Sequence, residues 1–209
     1  MTLPHSNKML RRSWLVSMLG LLGALTPSAL RAAPQKTPQQ EVQALVDEAF
    51  GILRDPALKK NTNERMKKLR VAVDKVFDWE TMARSSLGHH WRKIDDGQRQ
   101  EFITVFKDLL ARQYMDDVDR FQGTEKVNIT GVTERGDLRQ VKSVLITASK
   151  ESVPIDYTMH VAGGRWQVVD VSIEGVSLVN HYRNTFNRFL VNGDFATLLE
   201  RLKRKLGNR

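Results

Sequence analysis

The feature that most constrains this chain is a change of hydrophobic period. Apolar residues recur every three or four positions up to Phe121, every second position between Lys126 and Ile173, and every three or four again from Val179 to Leu206. A helix buries a stripe and a strand buries a face, so the pattern prescribes helices, then a strand meander, then helices. The expected fold is α+β: one twisted antiparallel sheet of about four strands, wrapped by N- and C-terminal helices. A curled sheet with helices across its concave side encloses an apolar cavity. No linker, low-complexity segment or internal repeat interrupts residues 41–206, which are expected to form a single domain.

Local signals sharpen the outline. Thr37-Pro38-Gln39-Gln40 combines an N-cap, a proline at the first helical position and a glutamine able to reach back, and the stripe Val42, Leu45, Val46, Ala49, Phe50, Leu53 follows until Asp55-Pro56. A second stripe, Met66, Leu69, Val73, Val76 and Phe77, leads to Asp78, the expected cap of a short helix ending near Gly88. Asp95 with Gln98 opens the longest stripe: Phe102, Val105, Phe106, Leu109, Leu110, Tyr114, Val118 and Phe121. Gly136-Asp137 and Gly163-Gly164 stand where tight turns are needed. A two-residue turn at Gly163-Gly164 sets Val161 opposite Trp166, Met159 opposite Val168 and Tyr157 opposite Asp170, leaving Val169, Val171 and Ile173 on the other side. Either face can pack helix or line a cavity.

The N-terminus has the form of an export signal. Lys8, Arg11 and Arg12 precede an apolar run, Trp14 to Leu25, that is too short to span a bilayer, and Pro27-Ser28-Ala29-Leu30-Arg31-Ala32-Ala33 supplies small residues for cleavage. Residues 1–32 are therefore expected to be a signal peptide cut within 29–33, with Ala32 favoured because a cut after Ala33 would leave Pro34 first. Residues 33–40 form the flexible tail of the mature chain. The Arg11-Arg12 pair leaves a twin-arginine route open. Export from a bacterial cytoplasm delivers the chain to the periplasm.

The formal net charge is +9, but the four basic residues of 1–33 have no acidic counterpart, so the remainder carries +5. An exported protein meets no genome, and nucleic acid is not an expected partner. A mild positive surplus suits anionic membrane surfaces or acidic proteins. The chain has no cysteine, and no later apolar run reaches eighteen residues.

Enzyme motifs are absent: there is no cysteine nucleophile, no G-x-S-x-G, no phosphate-binding glycine loop and no H-E-x-x-H. His89 and His90 are adjacent, so on a helix they point about 100° apart and do not share a metal. No metal or cofactor is expected. Asp116, Asp117 and Asp119 read as a solvated helix face. Tyr157 with Asp170 is the one pair able to act as hydrogen-bond donor and base inside an apolar cavity, and a plain cross-strand hydrogen bond is the competing role.

Several segments taken together carry a family likeness. Leu87-Gly88 with Trp91, Gln98-Arg99 with Phe102, Phe106 and Tyr114, Val153-Pro154-Ile155-Asp156-Tyr157, Trp166 to Val171 running into Glu174-Gly175-Val176-Ser177-Leu178, and Tyr182-Arg183 with Phe186 resemble the MlaC/toluene-tolerance family over about residues 40–205. The junction Trp166 to Ser177 is the most specific part. A hopanoid-associated branch of that family is similar too. The resemblance implies a periplasmic, monomeric phospholipid carrier that holds acyl chains inside and the head group at its mouth. It also implies exchange between an outer-membrane lipoprotein–porin complex and an inner-membrane ABC transporter with an MCE-domain ring, maintaining outer-membrane lipid asymmetry. The sequence positions expected to flank the cavity are Ile155, Tyr157, Met159, Val161, Trp166 and Val168 on the sheet and Phe102, Phe106 and Leu109 on the long helix, ordinary core being the competing role for each. Rival readings are a small-molecule enzyme using Tyr157 and Asp170, and an interaction module that docks on membrane complexes without cargo.

Overall fold

The computed structural model describes residues 36–113 and 120–207. The expected leader, most of the tail, Tyr114, Val118 and the Asp116, Asp117, Asp119 run lie outside the described residues.

Helix α1 (Pro38–Arg54) begins with the capping box: the Gln40 amide donates to Thr37 Oγ1 at 3.2 Å, and the Thr37 amide donates to Gln40 Oε1 at 2.8 Å. Pro56 cannot continue the ladder but suits the first turn of a new helix, so Asp55 ends α1 and caps the one-turn α2 (Pro56–Lys59). Asn61 caps α3 (Thr62–Asp74), and Asp78 caps α4 (Trp79–Leu87). A tight 3-10 segment, Gly88–Lys93, leads to α5 (Asp96–Gln113), opened by the reciprocal Asp95 and Gln98 bonds at 2.8 and 3.1 Å.

Strands β1 (Lys126–Arg135), β2 (Leu138–Ile146), β3 (Ser152–Ala162), β4 (Arg165–Ile173) and β5 (Val176–Ser177) pair antiparallel in chain order. The fifth, beyond the four expected, is a two-residue return from β4. Gly163 and Gly164 turn the β3–β4 hairpin at φ +56° and +75°, a left-handed pair that suits glycine and matches the twist of the strands. Helices α6 (Leu178–Leu190) and α7 (Phe195–Gly207) close the chain.

The β3–β4 register corrects one expectation. Val161 faces Trp166 and Met159 faces Val168, as the turn dictates, but the register then shifts: Thr158 faces Asp170 and Tyr157 faces Val171. Val169 is the extra residue of a β-bulge. Because side chains alternate with period two, one inserted residue carries everything beyond it to the opposite face. Val171 and Ile173 therefore join Tyr157 and Ile155, and Asp170 leaves them.

Two apolar clusters result. Where α4, α5, α6 and α7 converge, Met82, Phe102, Phe106 and Phe186 are fully buried, with Phe102 and Phe186 meeting edge to face at 5.6 Å. On the sheet, Val141, Met159, Val168 and Val171 pack with Val42, Leu45 and Val46 of α1, Ala72 of α3 and the following Val76. The link between α3 and α4 is pinned to β4: the Val168 amide donates to the Val76 carbonyl at 2.8 Å, and the Asp78 amide donates to the Val168 carbonyl at 2.9 Å. Asp78 Oδ2 also lies 2.9 Å from His160 Nε2 on β3. Between the two clusters a cavity is left open.

Candidate functional site

The cavity has a volume of about 490 Å³, within the range of small-molecule pockets. Its sheet wall is Ile155, Tyr157, Val171 and Ile173. Met66, Leu69 and Val73 of α3 line a second wall, and Phe77, Trp79 and Met82, at and before the start of α4, line a third. Thr104, Leu110 and Ala111 of α5, with Leu178 of α6, complete it. Aliphatic and aromatic carbon dominates that surface, which suits a hydrocarbon occupant.

Charge is confined to the opening between α3 and α5. Arg70 pairs with Asp108, and Lys107 Nζ lies 2.9 Å from Asp74 Oδ2. Trp79 Nε1 donates to Asp74 Oδ1 at 2.7 Å, and Lys107 Nζ sits 5.6 Å from the Trp79 ring centre. Each helix thus contributes one cation and one anion to bonds that span the opening. These side chains are roughly a third to two-fifths exposed, so each pair adds little to stability while bridging the two helices.

Two of the nine sequence-predicted site residues, Ile155 and Tyr157, line this cavity. Met159 and Val168 share their sheet face but are fully buried in the cluster beneath α1. Val161 and Trp166 face each other farther along toward the turn, with the Arg139 guanidinium 5.8 Å from the Trp166 ring centre. Phe102, Phe106 and Leu109 belong to the helical cluster, where Phe106 meets Tyr182 edge to face at 5.4 Å. The most apolar stripe of α5 is taken up by helix packing, and the neighbouring, less apolar strip of Thr104 and Ala111 turns to the cavity. Sequence reasoning missed Val171 and Ile173 because the bulge moved them, and it recognised Met66, Leu69 and Val73 as a stripe without assigning its role.

Tyr157 and Asp170 are not partners. Asp170 Oδ2 accepts from Ser177 Oγ, and Asp170 Oδ1 accepts from the Val179 amide at 3.1 Å, so this carboxylate secures the start of α6. Ser177 in turn caps α6 through the Asn180 amide at 3.1 Å. Burial pushes the Tyr157 phenol up to about 12. The side chain is half-buried and lines the cavity. Among the described residues no cluster of three or more His, Asp or Glu is placed to hold a metal ion, and no helix is long and apolar enough to cross a membrane.

An antiparallel sheet and a helical layer that together hold an apolar cavity with a charged rim define an α+β ligand-holding domain. A family model described as MlaC protein matches residues 43–204. The chain belongs to the MlaC family. It is 25% identical over 171 residues to the toluene tolerance protein ttg2D of Pseudomonas putida, covering 80% of this chain and 79% of that protein. In fold it is similar to the phospholipid-binding protein of Ralstonia solanacearum, solved in complex with a phospholipid, with a TM-score of 0.76 at 22% identity, covering 83% of this chain and 98% of that one.

Proposed function

We propose that this protein is a periplasmic phospholipid carrier, exported by its N-terminal leader (residues 1–32), with residues 41–206 as the lipid-binding domain. It takes lipid between an outer-membrane lipoprotein–porin complex and an inner-membrane ABC transporter bearing MCE domains, and so maintains outer-membrane lipid asymmetry. It acts as a monomer without cofactor, and phospholipid is its cargo rather than a substrate to be transformed. The observation that carries this reading is the apolar cavity walled by α3, α4, α5 and the bulged β3–β4 face. Membership of the MlaC family and the likeness in fold to a phospholipid-bound protein support it.

The cavity gives the carrier a physical rationale. A two-tailed lipid has on the order of thirty methylenes, and exposing them to water at about 0.8 kcal/mol each costs more than 20 kcal/mol. Unassisted escape is therefore very slow, and release requires a partner that opens the cavity at its destination. Native mass spectrometry with lipid extraction, on protein purified from the periplasm without detergent, tests the proposal. Phospholipid at a fixed stoichiometry is the expected result; a hopanoid in its place reassigns the chain to the related branch. A protein that stays empty when offered phospholipid vesicles overturns the carrier reading. The enzymatic rival lacks its central pair, since Asp170 is engaged at the start of α6.

A further inference from the structure

The four charged groups of the cavity wall bond to one another at its opening. Of the two hydroxyls in the wall, Thr104 Oγ1 donates to the Gln100 carbonyl at 3.1 Å. Tyr157 differs from both. It projects from the middle of the sheet, with Val141 and Val171 directly across on either neighbouring strand and Ile155 and Met159 on the same face of its own. Its hydroxyl has no hydrogen-bond partner among the described residues, although the side chain lines the cavity. Phenylalanine would fill this place without a polar atom to satisfy. Cargo that fills the cavity covers this phenol, which then needs an acceptor, and because burial raises it to about 12, it remains a donor throughout the physiological range.

We propose that the Tyr157 hydroxyl donates a hydrogen bond to a neutral carbonyl oxygen of the cargo, the ester at the head of an acyl chain, and thereby makes the cavity selective for ester-linked lipids. The assignment rests on the phospholipid reading and deepens it. An ester carbonyl suits this place better than a phosphate. A phosphate brought to Tyr157 would carry its charge into an apolar enclosure, while the cations that would neutralise it, Arg70 and Lys107, are held at the opening by Asp108 and Asp74. An ester carbonyl is a good acceptor, carries no charge, and sits where chain meets head group. An ether-linked lipid of the same length offers the same hydrocarbon but no carbonyl, and would leave the phenol unpaired.

The test uses vesicles containing equal amounts of diester and diether phosphatidylethanolamine with identical chains. The protein is incubated with them and re-isolated, and the two lipids extracted from it are quantified by mass spectrometry. The native protein is expected to be enriched in the diester about fivefold, the effect of one neutral hydrogen bond. Tyr157→Phe is expected to take both equally, with its uptake of the diether undiminished. The ratio is internal to each sample, so a change in the folded fraction does not move it. Equal uptake by the native protein, or a preference that survives in Tyr157→Phe, overturns the assignment. A native protein that takes up neither lipid overturns the carrier reading, and the assignment with it.

Discussion

Tyr157 stands opposite Val171 across the β3–β4 ladder, one place away from the partner an unbroken register would give it. The displacement is the work of Val169, and it decides which side chains the sheet presents to the cavity. Removing Val169 should leave an unbroken ladder in which Thr158 still faces Asp170, Tyr157 still faces Val171, and Val171 and Ile173 keep their places in the cavity wall. Asp170 should keep its bonds to Ser177 and the Val179 amide. The expected cost is below about 2 kcal/mol, and a urea unfolding curve of the deletion variant measures it. A loss above about 3 kcal/mol would contradict this account, under which Val169 is the one residue of the bulge without a cross-strand partner.

Residues of the helical cluster and residues of the cavity wall should respond differently to truncation. Phe102 is fully enclosed, so Phe102→Ala leaves a void among α5, α6 and α7 and should cost about 3–5 kcal/mol. Ile155 already borders an open space, and Ile155→Ala should cost less than the 2–5 kcal/mol typical of a packed aliphatic. Chemical denaturation of the two lipid-free variants at one pH compares them directly. Equal losses would show that the wall is packed as tightly as the core.

Ala111 faces the cavity from α5 and has the smallest side chain among its lining residues. Ala111→Phe should occupy part of the 490 Å³ and reduce the lipid that co-purifies. In lipid-free protein the same change should be neutral or stabilising by up to about 2 kcal/mol, as fillings of pre-existing voids are. Lipid extraction and calorimetry read the two effects separately, and undiminished lipid would count against this cavity as the binding site.

Acid should loosen the junction between β3 and α4. Burial alone would raise the Asp78 carboxyl, but the Thr81 amide and hydroxyl and His160 hold it below its ordinary value of 3.8. A group whose value is depressed on folding contributes stability that is present above the unfolded value and lost as pH falls through the folded one. That contribution is therefore complete near neutrality and fades below about pH 4. Asp78→Ala should lose it along with the α4 cap, at about 1 kcal/mol for the cap, and unfolding measured at pH 7 and pH 3.5 should show a smaller pH dependence in the variant.

Much of this architecture is legible in the residues, and what is not has physical causes. Thr37, Asp78, Asp95 and the Gly163-Gly164 pair act locally, so their caps and turn follow from a few neighbouring positions. The bulge at Val169 does not: the apolar phase shifts from Trp166 and Val168 to Val169, Val171 and Ile173, a pattern that equally fits a strand buried on both faces, and the extra residue shows only against the partner strand. The site was harder to read for a related reason. An apolar residue is the same whether it meets another side chain or an open space, so Phe102 and Leu69 differ by what lies opposite and not by type. Tyr157 could be singled out because a hydroxyl in an apolar run is a chemical anomaly that survives any choice of neighbours.

Helix α3 turns Met66, Leu69 and Val73 toward the cavity, so this apolar stripe has empty space where a helix ordinarily has a neighbour. Whatever enters the cavity meets that stripe as an adjoining helix would. The guest is then, in energetic terms, a removable part of the interior. By linkage, any molecule held only by the folded form raises the unfolding free energy with its concentration. The melting temperature of this protein accordingly works as a gauge of loading, and a partner that unloads it leaves behind a measurably softer molecule.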